Sequence, residues 1–199
     1  MVFGNLPRDG GNLGVELEDH ERFSSDQVAS KYLRKFVGAR ELLHAKDRWC
    51  LRLVDLDPAD PNRSALLRER INAVREWRLA SNAKQARDAA ETPHLFWYRS
   101  HAEVPHLVVP SVSSETRPFL PTAHFGPEVI SSNLNFTAED PDGFAFAIIS
   151  SSAFMTWLRA IGGKLESRLR FSNTVVWNTL PLPDLTTDAR QRIISEGKG

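Results

Sequence analysis

Apolar and polar positions alternate most regularly over residues 106–121, where Leu107 and Val109 are followed, at multiples of the same spacing, by Ser113, Glu115 and Arg117. A period of two places these side chains on one face of a strand that starts in a core and runs out to present a polar row. Pro110 and Pro118 cannot donate to a ladder, which predicts an edge strand or one leaving its sheet. Such a row holds hydrogen-bonding groups on a rigid backbone, although a solvated outer half of an edge strand is the plainer reading.

Other periodicities frame this stretch. Ser25 or Asp26 can cap a helix to about Lys35, with Val28, Tyr32 and Phe36 at helical spacing. Alternation predicts a strand over 48–55, with Trp49, Leu51 and Leu53 on one face. Asp60 before Pro61 signals the start of a helix over about 62–83. Its stripe is Leu67, Ile71, Val74 and Trp77, and Arg68, Asn72 and Arg75 lie along one flank, with Arg63, Arg70 and Arg78 adding charge around it. Strands are expected over 129–136 and 144–149, separated by an acidic turn at 139–143. Ser151 or Ser152 can cap a helix burying Phe154, Trp157, Leu158 and Ile161, and Gly162-Gly163 weakens or ends it. A β-rich run over 172–178 meets a proline stop, and a last helix over 187–195 looks too short to pack much.

Composition changes little in this picture. The 199 residues, 41% apolar and 25% charged, fit one globular domain or one with a small appendage. Without an apolar run of membrane-spanning length or a secretory leader pattern, the chain is read as cytoplasmic. Cys50, the lone cysteine, excludes an internal disulfide and is expected to be buried and inert. Charge is more informative. It sums to zero, yet residues 1–28 carry −4, residues 29–100 carry +6 and the remainder −2. A basic middle permits a polyanion partner without demanding one.

Catalytic constellations are missing from the sequence. Gly10-Gly11 is followed by no Lys-Ser/Thr and opens no helix, which leaves a turn rather than a phosphate loop. Neither a Gly-rich cofactor loop with an Asn/Asp/Ser-Pro-Pro-aromatic tetrad nor a carboxylate-lysine nuclease core occurs. His101 and His106 read as strand-flanking polar residues rather than metal ligands, and no Gly-x-Ser-x-Gly elbow is found. The chain therefore reads as non-catalytic and metal-free.

A family likeness emerges from several motifs in order. They are Phe-Gly-Asn-Leu-Pro-Arg-Asp-Gly-Gly-Asn-Leu (3–13), Tyr-Leu-Arg-Lys-Phe-Val-Gly-Ala-Arg-Glu (32–41) and Arg-Trp-Cys-Leu-Arg-Leu-Val-Asp (48–55). Val-Arg-Glu-Trp-Arg (74–78), Val-Pro-Ser-Val-Ser-Ser-Glu-Thr-Arg (109–117) and Ser-Asn-Thr-Val-Val-Trp-Asn (172–178) follow, and Leu-Pro-Leu-Pro closes the series. The chain resembles the target recognition region of MmeI-type restriction–modification enzymes and related adenine-specific DNA methyltransferases. Its closing segment is also similar to the specificity subunits of type I restriction systems, where such a segment opens a spacer helix.

This resemblance implies an α+β (mixed α/β) fold, a twisted, mainly antiparallel sheet with flanking helices. It implies a recognition domain over 1–184 and, over 185–199, the truncated start of a helical spacer. It implies double-stranded DNA and a methyltransferase catalytic domain, in cis or in trans, as partners. S-adenosylmethionine belongs to that catalytic domain and no cofactor is expected in this chain. The chain is expected to be a segment of a longer polypeptide or a stand-alone specificity protein.

Base readout uses Arg for guanine, Asn or Gln for adenine, Glu for cytosine and Ser or Thr more generally. Ser113, Glu115 and Arg117 supply such a set and are the candidate base readers, against the alternative of a surface ion pair between the last two. Arg68, Arg75, Lys84, Arg87, Arg168 and Arg170 are candidate phosphate contacts. A different class of function, a protein-interaction module docking through Phe96, Trp97 and Tyr98, stays open at this point.

Overall fold

A computed structural model describes residues 1–197, so the end of the expected 185–199 segment, residues 198–199, lies outside the described residues. The chain forms two compact units. One comprises residues 5–37 and 46–99, and the other residues 1–4, 38–45 and 100 onward.

In chain order the first half contains β1 (Val2–Phe3), β2 (Gly14–Val15), α1 (Leu17–Ser25), β3 (Leu33–Val37), α2 (Ala39–His44) and β4 (Trp49–Leu51). Then come α3 (Asp60–Arg63), α4 (Ala65–Leu79) and α5 (Lys84–Asp88). The second half contains β5 (His106–Pro110), β6 (Val112–Ser113), β7 (Ala123–Phe125), β8 (Val129–Ser131) and β9 (Asn135–Glu139). It ends with α6 (Phe144–Ile149), α7 (Ser152–Ile161), β10 (Gly163–Leu165), β11 (Arg168–Arg170) and α8 (Thr187–Glu196). Antiparallel pairing with flanking helices is the α+β architecture expected. Among the described residues no helix is long and apolar enough to cross a membrane.

The unit built from residues 5–37 and 46–99 begins with a turn set by Asp9, whose carboxylate accepts the amides of Gly11 at 3.0 Å and Leu13 at 2.5 Å. Gly10 sits at φ +66° against the Trp77 ring, where a side chain would collide at 2.6 Å. Antiparallel pairing then places β4 between β2 and β3. The expected helix to Lys35 is not formed. Asp26 does cap, accepting from Val28 and Ala29, but only a 3₁₀ turn follows before Leu33–Val37 pairs with β4. The expected strand over 48–55 is also shorter, and only Trp49–Leu51 pairs. Ser64 splits the expected long helix in two. Pro61 opens the single turn of α3, and the extended Ser64 then caps α4 by accepting from Leu67. Leu67 and Val74 are buried as the stripe predicts, whereas Trp77 is largely exposed.

The other unit carries two sheets. One has the order β1-β9-β5-β7, which makes β5 an interior strand rather than an edge. The other has the order β10-β11-β6. Its apolar core gathers Leu107, Val109, Phe136, Phe154, Leu158 and Leu169, among others. The segment 144–149, expected as a strand, is the helix α6. Asp140 and Asp142 accept the amides of Ala145, Phe146 and Phe144, and Gly143 takes φ +82°. Ser151 caps α7, accepting from Phe154, and Gly162 ends that helix. Residues 173–177, expected in a β-rich run, form a π-helical turn capped by Ser172. The last helix packs more than its length suggests. Ile194 is buried, and Arg190 pairs with Asp142 at 2.8 Å while covering Phe144.

Candidate nucleic-acid interface

The polar row over 113–117 does not continue one strand. Pro110 ends β5 opposite Asn135, and Ser111 then passes the chain from one sheet to the other. Its amide donates to Leu134 at 3.2 Å, and its carbonyl accepts from Phe171 at 3.0 Å. β6 then pairs with β11, with Ser113 opposite Leu169 and Val112 opposite Arg170. Beyond Ser113 the chain turns. The Ser114 hydroxyl accepts from the Thr116 amide at 3.3 Å, and its carbonyl accepts from the Arg117 amide at 3.4 Å.

The three candidate base readers therefore separate. Ser113 shares the inward face with Leu169, 2% exposed, with no hydrogen-bond partner for its hydroxyl among the described residues. Burial keeps it from a base in this conformation. Glu115 stands exposed on the turn and Arg117 is half-buried. They do not pair with each other. Glu115 meets Lys164 of β10 at 3.9 Å, and the Arg117 carbonyl accepts from Arg159 at 3.1 Å. The Arg117 backbone is thus tethered at its carbonyl.

Two of the phosphate candidates stand in the same sheet. Arg168 and Arg170 flank the buried Leu169 on β11 and project to the opposite, solvent-facing side. Arg168 also pairs with Glu166 at 2.9 Å. β11·β6 pairing puts Arg170 opposite Val112, just before the 114–117 turn, and the turn itself is reached by Lys164 and Arg159. Sequence reasoning missed those last two, because Lys164 meets Glu115 only through strand register and Arg159 meets the Arg117 carbonyl only through the packing of α7.

The remaining candidates belong to the other unit. Arg68 and Arg75 are exposed on α4 with Asn72 between them, at the i, i+4, i+7 spacing of one flank. Lys84 pairs with Asp88 at 2.7 Å, and Arg87 donates to the carbonyls of Ser81 and Asn82, both at 2.8 Å. Those two cations are partly engaged in local structure. Arg78, read as surface charge, is instead 1% exposed. Its donors reach the carbonyls of Pro7, Arg8, Ala89, Thr92 and Leu95 at 2.8–3.2 Å. The three aromatics of the run differ in exposure. Phe96 is buried, and Arg8 covers Trp97 at 4.4 Å, leaving Tyr98 exposed. Cys50 is buried, which pushes its thiol pKa up and leaves it unreactive. Among the described residues no cluster of His, Cys, Asp and Glu could hold a metal ion.

The sequence family described as "MmeI, target recognition domain" matches residues 1–184. The chain belongs to this family. It is 32% identical over 194 residues to the DNA methyltransferase A of Bacillus subtilis (strain 168), a match covering 97% of this chain and 22% of that protein. It is 35% identical to a solved structure of the type IIL restriction–modification enzyme MmeI in complex with DNA. That match has a TM-score of 0.90 and covers 99% of this chain and 26% of the other. The chain thus spans about a quarter or less of these relatives. Within the MmeI target recognition fold, the 114–117 turn and the β10–β11 hairpin form the surface on which most of the exposed candidates of residues 100–197 converge.

Proposed function

We propose that this MmeI-family target recognition domain reads a short asymmetric site in duplex DNA. It positions that duplex for adenine methylation by an S-adenosylmethionine-dependent catalytic domain outside this chain, in the cytoplasm. The observation that carries the reading is the exposed Glu115–Arg117 turn. It follows β6, which pairs with β11, and Lys164 and Arg159 reach it at 3.9 and 3.1 Å, while Arg168 and Arg170 stand on the adjoining strand β11. A rigid turn offering a carboxylate acceptor beside a guanidinium fork suits base edges, and the surrounding cations suit phosphates. Arg117 takes the role of guanine reader, Glu115 of cytosine reader, and Arg68 and Arg75 of phosphate contacts. Ser113 supports the turn from below.

The direct test is retention of a randomised duplex pool by the chain at low salt, followed by sequencing of the bound DNA. An enriched short motif is expected. Retention without any motif would remove the base-reading role and leave a phosphate-binding surface only.

A further inference from the structure

Two adjacent glycines end α7 and start the hairpin, and the structure treats them differently. A Cβ at Gly162 would lie 2.4 Å from the Leu158 carbonyl oxygen, so packing itself requires glycine there. At Gly163 nothing lies within 4 Å of a Cβ, and its φ is outside the left-handed region. Neither packing nor backbone conformation asks for glycine at 163. A bare residue in a strand is also where another backbone can approach closely.

Register shows what surrounds it. Gly163 is opposite Arg170, and Leu165 is opposite Arg168, so these four share one solvent-facing side of the β10–β11 hairpin. Leu165 is 46% exposed there. On and beside the hairpin stand Arg117, Arg159, Lys164, Arg168 and Arg170, against the carboxylates of Glu115 and Glu166. Residues 101–199 carry a net −2 as a whole. Positive charge is therefore concentrated at this hairpin within an otherwise acidic segment, which is the complement of a nucleic-acid backbone.

The geometry points to the outward face of the β10–β11 hairpin as the seat of one sugar–phosphate strand of the duplex. Gly163 is the ledge on which the strand lies, Arg168 and Arg170 hold its phosphates, and Leu165 packs on the sugars. This rests on the DNA-binding reading and adds a steric requirement to it: the ledge must stay bare.

The test uses the full chain and a labelled duplex of mixed sequence at low salt, comparing wild type with Gly163→Ala and Gly163→Val. Both variants are expected to keep or raise the thermal unfolding midpoint, since valine suits a strand and meets no neighbour. Affinity is expected to fall in steps, about tenfold for Gly163→Val, with Arg170→Ala giving a comparable loss and a shallower salt dependence. Gly162→Ala, by contrast, is expected to lower the unfolding midpoint. Wild-type affinity in a folded Gly163→Val would overturn the ledge while leaving DNA binding intact. Absence of any binding by the wild type would overturn the DNA reading itself, and the ledge with it.

Discussion

Arg78 shows how far a residue's role can depart from its place in a helical pattern. Charged residues beside an apolar stripe are usually solvated, yet this guanidinium donates to five carbonyls drawn from the opening turn and from the segment after α5. A planar fork of five donors can satisfy that many acceptors from one centre, whereas an ammonium cannot. Burial lowers its pKa without neutralising it. Arg78→Lys is expected to cost about 3 kcal/mol or more, because several buried carbonyls lose their donor. Urea denaturation read by tryptophan fluorescence measures this, and an unchanged midpoint would refute the role. Two histidines set a second residue-scale expectation. Burial holds His106 below its ordinary value of 6.5, and His94 is lowered by burial and by the nearby Arg78 and Arg99 charges. The unfolded chain then binds protons that the folded chain refuses. Stability is complete above about pH 6.5 and falls as the pH drops towards the folded pKa values. His106→Gln should flatten that limb in unfolding midpoints collected between pH 7 and 5. Asp26, Asp60 and Asp142, all lowered by hydrogen bonds, lose their contribution only below the ordinary carboxyl value of 3.8.

At the scale of elements, what the sequence disclosed were caps and turns, and what it concealed were pairings. Ser151 before Phe154 and the Asp9-Gly10-Gly11 turn act through neighbours a few residues away, so local pattern suffices. Leu33–Val37 is a strand only because β4, some fifteen residues on, offers it a ladder. Glu115 and Lys164 meet only through the β6·β11·β10 register. The period-two row over 107–117 is genuine in sequence but spans two sheets, and of the two outcomes Pro110 predicts, an edge strand or one leaving its sheet, the second is found. Segment 144–149 is a helix where a strand is expected, for a different reason. Apolar runs of six fit a strand or a helix equally, and the decision lies in the preceding Asp140-Pro141-Asp142-Gly143. Asp140→Ala should therefore cost about 1–2 kcal/mol, as expected for loss of a capping side chain. A loss under about 0.3 kcal/mol by chemical denaturation would show that α6 is held by packing alone.

For the molecule as a whole, zero net charge is no obstacle to binding a polyanion, because affinity follows the cations that displace counterions rather than the sum. Two variants separate the contributions. Arg75 is exposed on a helix flank carrying Arg68 and Asn72, a setting suited to a phosphate oxygen, which is the same at every step of the duplex. Arg75→Ala should weaken binding to all sequences alike and reduce the salt slope by about one. Arg117 has its carbonyl fixed by Arg159, which holds its backbone in place to discriminate. Removing a bidentate contact to guanine costs about 1–3 kcal/mol against the preferred base and little against the others. Arg117→Ala should accordingly relax one position of the enriched motif while the salt slope barely moves. If both variants instead lost affinity evenly over the sequenced pool, Arg117 would be a second phosphate contact. Discrimination would then fall to Glu115 and to Lys164, whose ammonium lies 3.9 Å from the Glu115 carboxylate.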